Sequence, residues 1–404
     1  MRHERLMIFG ASTRAAAQSA VRACLRPLCA DHFADEDLFE LAEVLPLTHY
    51  PHGLIAAAGS GPPLPWMYTG AIENHPRLLE KLAAIRPLWG NPADVVTRVR
   101  DPFAVARVLK DAALDALRLC PQDQPPPRDG RWLVKPLRGA GGRGIQVWDN
   151  SAALSAGGPR CPYYFQRRAF GEPHSAIYLA TPDRTVFIGI SRQLVGEPRL
   201  NAGEFAYCGS VGPVNIGESV REQVVRCGEV VASEFGLRGL FGIDFVVEDE
   251  SIAWLTEVNP RYTASVEIFE TALGISFLGD HVLASAAFEE ADCSRNIADD
   301  LQGRLDGARR SGAARICGKA IVYAPFTVRA PSLVEVMRIP AFADNATRIA
   351  DRPRPGTIVP ARAPLCTLLV DDWKWSSKSP EMLLGGFEPA LSALEAHLEP
   401  DCER

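Results

Sequence analysis

Between Trp132 and Trp148 the chain passes from one apolar segment, Trp132-Leu133-Val134-Lys135-Pro136, into another, Ile145-Gln146-Val147-Trp148. The connection contains Gly139-Ala140-Gly141-Gly142-Arg143-Gly144. Four glycines in six residues let backbone N–H groups approach an anion that side chains would hold off. The order of the parts limits which phosphate loop this is. A P-loop places its lysine after the glycines and then enters a helix, and a dinucleotide turn also enters a helix. Here Lys135 comes first and a strand follows. The segment therefore reads as a flap of two strands, with Lys135 pointing inward and Arg138 and Arg143 adding positive charge. A plain hairpin turn is the competing reading, which a lysine inside so apolar a strand disfavours.

A second constraint lies more than a hundred residues downstream. Residues 240–247 alternate so that Phe241, Ile243, Phe245 and Val247 share one face, and Asp244 takes the other. The acidic turn Glu248-Asp249-Glu250-Ser251 leads into a returning strand with Glu257 and Asn259 on a common face. A hairpin loop at 249–252 sets Asp244 directly opposite Glu257. Two opposed carboxylates repel unless a cation lies between them. A divalent metal accepts oxygen ligands from Asp244, Glu257 and the Asn259 amide. Asn259-Pro260-Arg261 then brings a guanidinium beside that metal, where it suits a phosphoryl oxygen. A solvated hairpin accounts for Glu248–Glu250 but not for carboxylates within apolar strands.

Taken together, Lys135 with its glycine loop, Gly242-Ile243-Asp244-Phe245 and Glu257-Val258-Asn259-Pro260-Arg261 resemble the ATP-grasp superfamily. The segment Tyr163-Tyr164-Phe165-Gln166-Arg167-Arg168-Ala169-Phe170-Gly171-Glu172 resembles the stretch that joins the two lobes of that clamp. The resemblance implies that Gln166 and the Arg167, Arg168 and Ala169 backbone meet adenine, and that Glu172 or His174 lies near the ribose. It implies a flap of Gly139, Gly141, Gly142, Arg143 and Gly144 over the phosphates, with Arg192 near the reacting group. Gly318–Ala324 and Pro353–Pro360 resemble the tail of carboligases related to biotin carboxylase. Many members carry a lysine before the flap; Val99-Arg100-Asp101-Pro102 stands there instead, so Arg98 or Arg100 is the candidate replacement.

The implied fold is α/β and α+β. Residues 1–95 form a Rossmann-like pre-ATP-grasp domain, in keeping with alternating strands (6–9, 27–31, 44–47, 65–68) and helices (14–23, 54–59, 76–85). Residues 96–299 form the two-lobed ATP-grasp domain, with the flap lobe at about 120–165 and a helix over 102–117. Polar, small residues over 300–316 read as a linker. Residues 317–404 form a small β-rich module ending in a helix, where Phe387, Leu391, Leu394 and Leu398 make an apolar stripe.

The 404 residues give ample length for two or three domains. A net charge of -6 argues against a nucleic-acid binder. No apolar run approaches a membrane span, so a cytoplasmic location is expected. Ten cysteines show no C-x-x-C spacing and read as thiols. A homodimer is the default oligomer.

The expected activity is that of an ATP- and Mg²⁺-dependent (alternatively Mn²⁺-dependent) ligase. A small-molecule carboxylate would be activated as an acyl phosphate and attacked by an amine. Lys135 would hold the α- and β-phosphates, Asp244, Glu257 and Asn259 the metal, and Arg261 and Arg192 the transferred group. Two other readings compete. One is a non-catalytic ATP-binding regulator. The other is an NAD(P)-binding oxidoreductase built on Gly10-Ala11-Ser12-Thr13, with Asp31 at ribose-binding spacing.

Overall fold

The computed structural model describes residues 5–47, 49–150, 161–288, 296–311, 315–339, 342, 347–371 and 385–400. The apolar segments at the start become β1 (Arg5–Gly10), β2 (Arg26–Asp31), β3 (Glu43–Pro46) and β4 (Trp66–Tyr68), all parallel in the order β3-β2-β1-β4. Helix α1 (Arg14–Arg22) covers one face, with α2 (Glu36–Phe39) beside it. Helices α3 (Leu54–Gly59) and α4 (Pro76–Ile85) cover the other. Alternation along β1 feeds both cores: Leu6 and Ile8 join α1, while Met7 and Phe9 join α3 and α4.

Two short helices follow, α5 (Ala93–Val99) and α6 (Pro102–Asp111). Asp101 caps α6 by accepting from the N–H groups of Phe103 and Ala104. The helix expected over 102–117 stops at Asp111, because the chain turns at Ala113 into the left-handed region (φ 58°). Four antiparallel strands then form the flap sheet: β5 (Leu119–Pro121), β6 (Trp132–Pro136), β7 (Gln146–Val147) and β8 (Tyr163–Arg167), in the order β5-β8-β6-β7. Trp132, Val134, Trp148 and Phe165 make its small core.

The large sheet has eight strands. It takes in β9 (Glu172–Ala180), β10 (Thr185–Val195), β11 (Tyr207–Gly212), β12 (Gly239–Glu248) and β13 (Ile252–Asn259). It continues into β14 (Cys317–Tyr323), β16 (Thr347–Ala350) and β18 (Pro364–Val370), in the order β13-β12-β9-β10-β11-β14-β18-β16. A separate pair, β15 (Val328–Arg329) and β17 (Ile358–Val359), precedes and follows β16 in the chain. Helix α7 (Glu218–Phe235) packs on one face of the large sheet. Helices α8 (Val266–Leu273), α9 (Leu278–Ala287) and α10 (Ile297–Arg310) pack on the other. The β-rich tail thus extends the central sheet, with α11 (Leu333–Val336) and α12 (Glu388–Glu395) closing its core. Phe387, Leu391 and Leu394 are fully enclosed there, as their spacing implies.

The expected linker at 300–316 is corrected. Most of it belongs to α10, where Leu301 and Leu305 lie one turn apart with no exposure. Asp299 and Asp300 in its first turn and Arg309 and Arg310 in its last complement the helix dipole.

The N-terminal sheet, the clamp and the tail meet at a buried ionic junction. Arg14 pairs with Glu267, Lys319 reaches Glu267 at 2.7 Å, and Arg14 reaches Asp351 at 3.0 Å. The Asp351 and Arg352 N–H groups donate to Asp37. Removing one member of so enclosed a pair typically costs about 3–5 kcal/mol. Close by, Asp35 lies under protein near Asp351, Asp31 and Asp37; burial, then those charges, push its carboxyl up to about 8. An unfolded aspartate gives up its proton near pH ~3.9. The folded chain therefore holds an extra proton between those values, and stability falls as pH rises through that window. Asp35→Asn is expected to raise Tm by several degrees at pH 8 and to leave it almost unchanged near pH 4. Equal shifts at both pH values in thermal melts would count against this assignment.

Candidate active site

The site begins with the pairing of β12 and β13. Asp244 stands directly opposite Glu257, and Gly242 opposite Asn259. The route to this register includes a feature invisible in the sequence. The turn is tighter than a 249–252 loop, with Glu248 paired to Ile252, and a bulge at Thr256 restores the Asp244–Glu257 opposition. Bulges re-aim groups beside functional sites. Here the bulge lets the Thr256 carbonyl accept from Lys135 Nζ at 3.2 Å, while its hydroxyl donates to the Asp244 carbonyl at 3.0 Å.

Asn259 Nδ2 donates to Asp244 Oδ2 at 2.9 Å, and Gln193 Nε2 donates to Oδ1 at 2.9 Å. Desolvation, then the facing Glu257 charge, raise the Asp244 carboxyl to about 6. For Glu257, desolvation is outweighed by Arg100, Lys135 and Arg261, and its carboxyl lies below the ordinary range. Arg100 is ion-paired with Glu257. Arg261 donates to Asn259 Oδ1 at 3.2 Å and is held from behind by Glu73 of the N-terminal domain at 2.7 Å. Two opposed carboxylates, one of them pushed up by burial and by the charge of the other, and an adjacent amide make a hard oxygen set that fits Mg²⁺ or Mn²⁺. Among the described residues no cluster of three His, Cys, Asp or Glu offers another metal site.

Lys135 and Gln166 meet at 3.0 Å on the inner face of the flap sheet. They border a cleft with Tyr164, Leu119, α6 and the 255–258 stretch of β13. Gly139, Gly142 and Arg143 also border it, so the glycine loop covers this cleft. The loop is docked. The Gly139 carbonyl accepts from Arg100 and from Asn74, each at 3.1 Å, and Gly141 accepts from the Tyr207 N–H at 3.2 Å. Gly142 (φ 78°) lies so close to the Phe205 carbonyl that a Cβ would sit 1.7 Å from its oxygen. A mostly apolar cleft with one lysine, one amide and a closing loop suits a purine with phosphates.

Other expected residues go elsewhere. Arg167, Arg168 and Ala169 do not border the cleft, and the first two give their N–H groups to the Arg118 and Arg131 carbonyls. Gly141 and Gly144 belong to the loop without facing the cleft. Arg192 pairs in register with His174, and Ser191 with Ser175, which faces Asp244 across β9 and β12. Alternation therefore puts Arg192 and His174 on the face opposite Asp244. His174 stacks on Phe245, and Arg192 is ion-paired with Glu172. The expectation that Arg192 faces the reacting group is thus corrected by one residue, since Gln193 reaches Asp244. Asp31 of the dinucleotide reading is also engaged: it accepts from the Thr13 N–H and hydroxyl at 2.6 and 2.7 Å and from the Ala34 N–H.

Residues 99–265 match the ATP-grasp domain family. The chain carries an ATP-grasp domain. The carbamoyl phosphate synthase large chain of Neisseria gonorrhoeae is 23% identical over 293 residues, covering 66% of this chain and 25% of that protein. The chain thus spans about a quarter of the length of the curated relatives it matches. Its architecture is shared with carboxyaminoimidazole ribonucleotide synthase from Aspergillus clavatus complexed with ATP (TM-score 0.67, 11% identical, 97% and 98% covered). It is shared equally with L-amino acid ligase from Bacillus licheniformis (TM-score 0.63, 16% identical, 98% of each chain). Both likenesses extend through the Rossmann-like N-terminal domain, the two-lobed clamp and the β-rich tail. Enzymes of the ATP-grasp fold generally join a carboxylate to a nucleophile using ATP and Mg²⁺.

In this ATP-grasp domain the flap's closure hangs on the missing Cβ of Gly142. Gly142→Ala is expected to undock the loop and to speed amide hydrogen exchange at Tyr207 by about tenfold or more, with little change in the exchange of core strands. Unchanged exchange at Tyr207 would show that the loop docks by other contacts.

Proposed function

We propose that the chain is an ATP- and Mg²⁺-dependent carboxylate–amine ligase acting on small molecules. The observation that carries this reading is the in-register opposition of Asp244 and Glu257, with the Asn259 amide and Arg261 beside them and Lys135 arriving from the flap. Asp244, Glu257 and Asn259 would hold the metal, which when bound would neutralise charge on the phosphates. Lys135 would hold phosphate oxygens from the flap side. Arg100 takes the place of the lysine expected before the flap. It already bridges Glu257 and the Gly139 carbonyl, so it would exchange one anion for another as nucleotide enters. Arg261, fixed by Glu73, would steady the transferred phosphoryl group. The docked glycine loop would keep water from an acyl phosphate until an amine attacks. Reactants and leaving groups are all anionic, so positioning and charge neutralisation supply the catalysis.

The test is ADP release measured across amino acids and small amines, with and without bicarbonate. One acid–amine pair is expected to raise ADP release well above the ATP-only rate. Release that no acid, amine or bicarbonate raises would instead leave the ATP-binding regulator standing. Glu257→Gln is expected to remove ADP release while ATP binding largely survives. Full turnover in that variant would overturn the metal assignment. Arg100→Met is expected to raise KM for ATP by about tenfold or more, in line with one charge-assisted contact, with Arg100→Lys recovering most of it.

A further inference from the structure

In the N-terminal domain, residues 69–75 join β4 to α4, and a single 3₁₀ turn, Ile72–Asn74, lies at their centre. The turn is entered through Ala71, whose backbone is left-handed (φ 81°), a conformation that alanine rarely adopts. Such a backbone persists where its surroundings hold it. Here Ile72 is fully enclosed in the core under α3 and α4.

From this anchored turn, neighbouring residues reach two different parts of the clamp. One part is Arg261. A Cβ added at Gly70 would lie 3.4 Å from the Arg261 Cζ, so the guanidinium rests against this backbone. Glu73 then accepts from Arg261 Nε at 2.7 Å. The other part is the glycine loop. Asn74 Nδ2 donates to the Gly139 carbonyl at 3.1 Å, and Asn74 Oδ1 accepts from Arg100 Nη2 at 3.3 Å. Arg100 Nη2 also donates to the Gly139 carbonyl, at 3.1 Å. The three groups close a triangle that fixes the amide's orientation. Turned over, its NH₂ would face the guanidinium and its oxygen the carbonyl. Asn74 is only half-buried and does not border the nucleotide cleft, so its two bonds serve neither core packing nor nucleotide contact.

We propose that the 70–74 turn is a positioning element that couples Arg261 to closure of the glycine loop, with Asn74 as its hold on the loop. An anion drawn to Arg261 steadies the turn through Glu73, and the steadied turn keeps the Gly139 carbonyl. A docked loop in return restrains Arg261, because such coupling is reciprocal. The clamp thereby closes in response to the phosphoryl end of its ligand. The proposal rests on the ligase reading only in taking Arg261 as the group that meets that phosphoryl. Its test is made without nucleotide, so its failure is separate from a failure of the ligase reading.

The experiment is amide hydrogen exchange of the full chain, read at the Tyr207 N–H that donates to Gly141, with β1 as the reference. Asn74→Ala is expected to speed exchange at Tyr207 by about fivefold, the worth of one hydrogen bond, and to leave β1 unchanged. Asn74→Asp, which keeps the acceptor for Arg100 and loses the donor to Gly139, is expected to do the same. Arg261 bonds to Glu73, Asn259 and the Tyr262 carbonyl and not to the loop. Arg261→Met is nonetheless expected to speed exchange at Tyr207 by about threefold or more, an effect that local support by Asn74 would not produce. Glu73→Gln breaks the same path and serves if Arg261→Met fails to fold. Combined with Asn74→Ala, either is expected to add little, since one path is already cut. The proposal is overturned if both Asn74 variants exchange as the unaltered chain does, if the Arg261 and Glu73 variants leave Tyr207 unchanged, or if the combined effects simply multiply.

Discussion

Asp244 and Glu257 face each other across two adjacent strands, and like charges so placed repel. The rest of the site is arranged around that repulsion. Arg100 comes from the end of α5, Lys135 from the flap and Arg261 from the end of β13, braced by Glu73 in the N-terminal domain. Each cation reaches the pair from a different part of the chain. Within the protein alone, they supply the positive charge that the opposed carboxylates call for. Arg100 touches both Glu257 and the Gly139 carbonyl, so charge at the carboxylates and closure of the glycine loop are linked through one side chain.

Much of this arrangement was legible in the residues. The order of Lys135 and its glycines set the flap apart from helix-opening phosphate loops, and the alternation about Asp244 marked its face. Asp244 does oppose Glu257, but through a tighter turn and a bulge at Thr256 that offset each other. Nothing in Leu255-Thr256-Glu257 announces a bulge, because bulges are decided by what the freed carbonyl meets in three dimensions, here Lys135. The choice of Arg192 over Gln193 missed by a single residue. A guanidinium looks more catalytic than an amide, yet strict alternation with Ser191 and Ser175 would have selected Gln193. In α10 the signal was present in Ile297, Leu301 and Leu305 but hidden by the surrounding polar and small residues.

The two faces of the large sheet divide the work. The face of Asp244 carries charge and receives the N-terminal domain, while the α7 face carries the Phe241, Ile243 and Phe245 core. Glu172, His174 and Arg192 interrupt that core at one end. They are accommodated there because Arg192 is ion-paired with the exposed Glu172, while His174 stacks on Phe245 and donates to the Glu172 carbonyl.

The continuity of the large sheet has a consequence for how the chain can be divided. Strand β14 is hydrogen-bonded to β11 along Gly209–Gly212, so the tail completes a sheet that the clamp begins. A fragment ending before Cys317 would strip β11 of its neighbour and leave a row of backbone donors and acceptors facing water. Such an edge recruits other strands, including those of identical chains. The boundary that composition suggests is therefore a poor place to cut, and exchanging tails between relatives would need the edge of β11 to be matched as carefully as any catalytic residue.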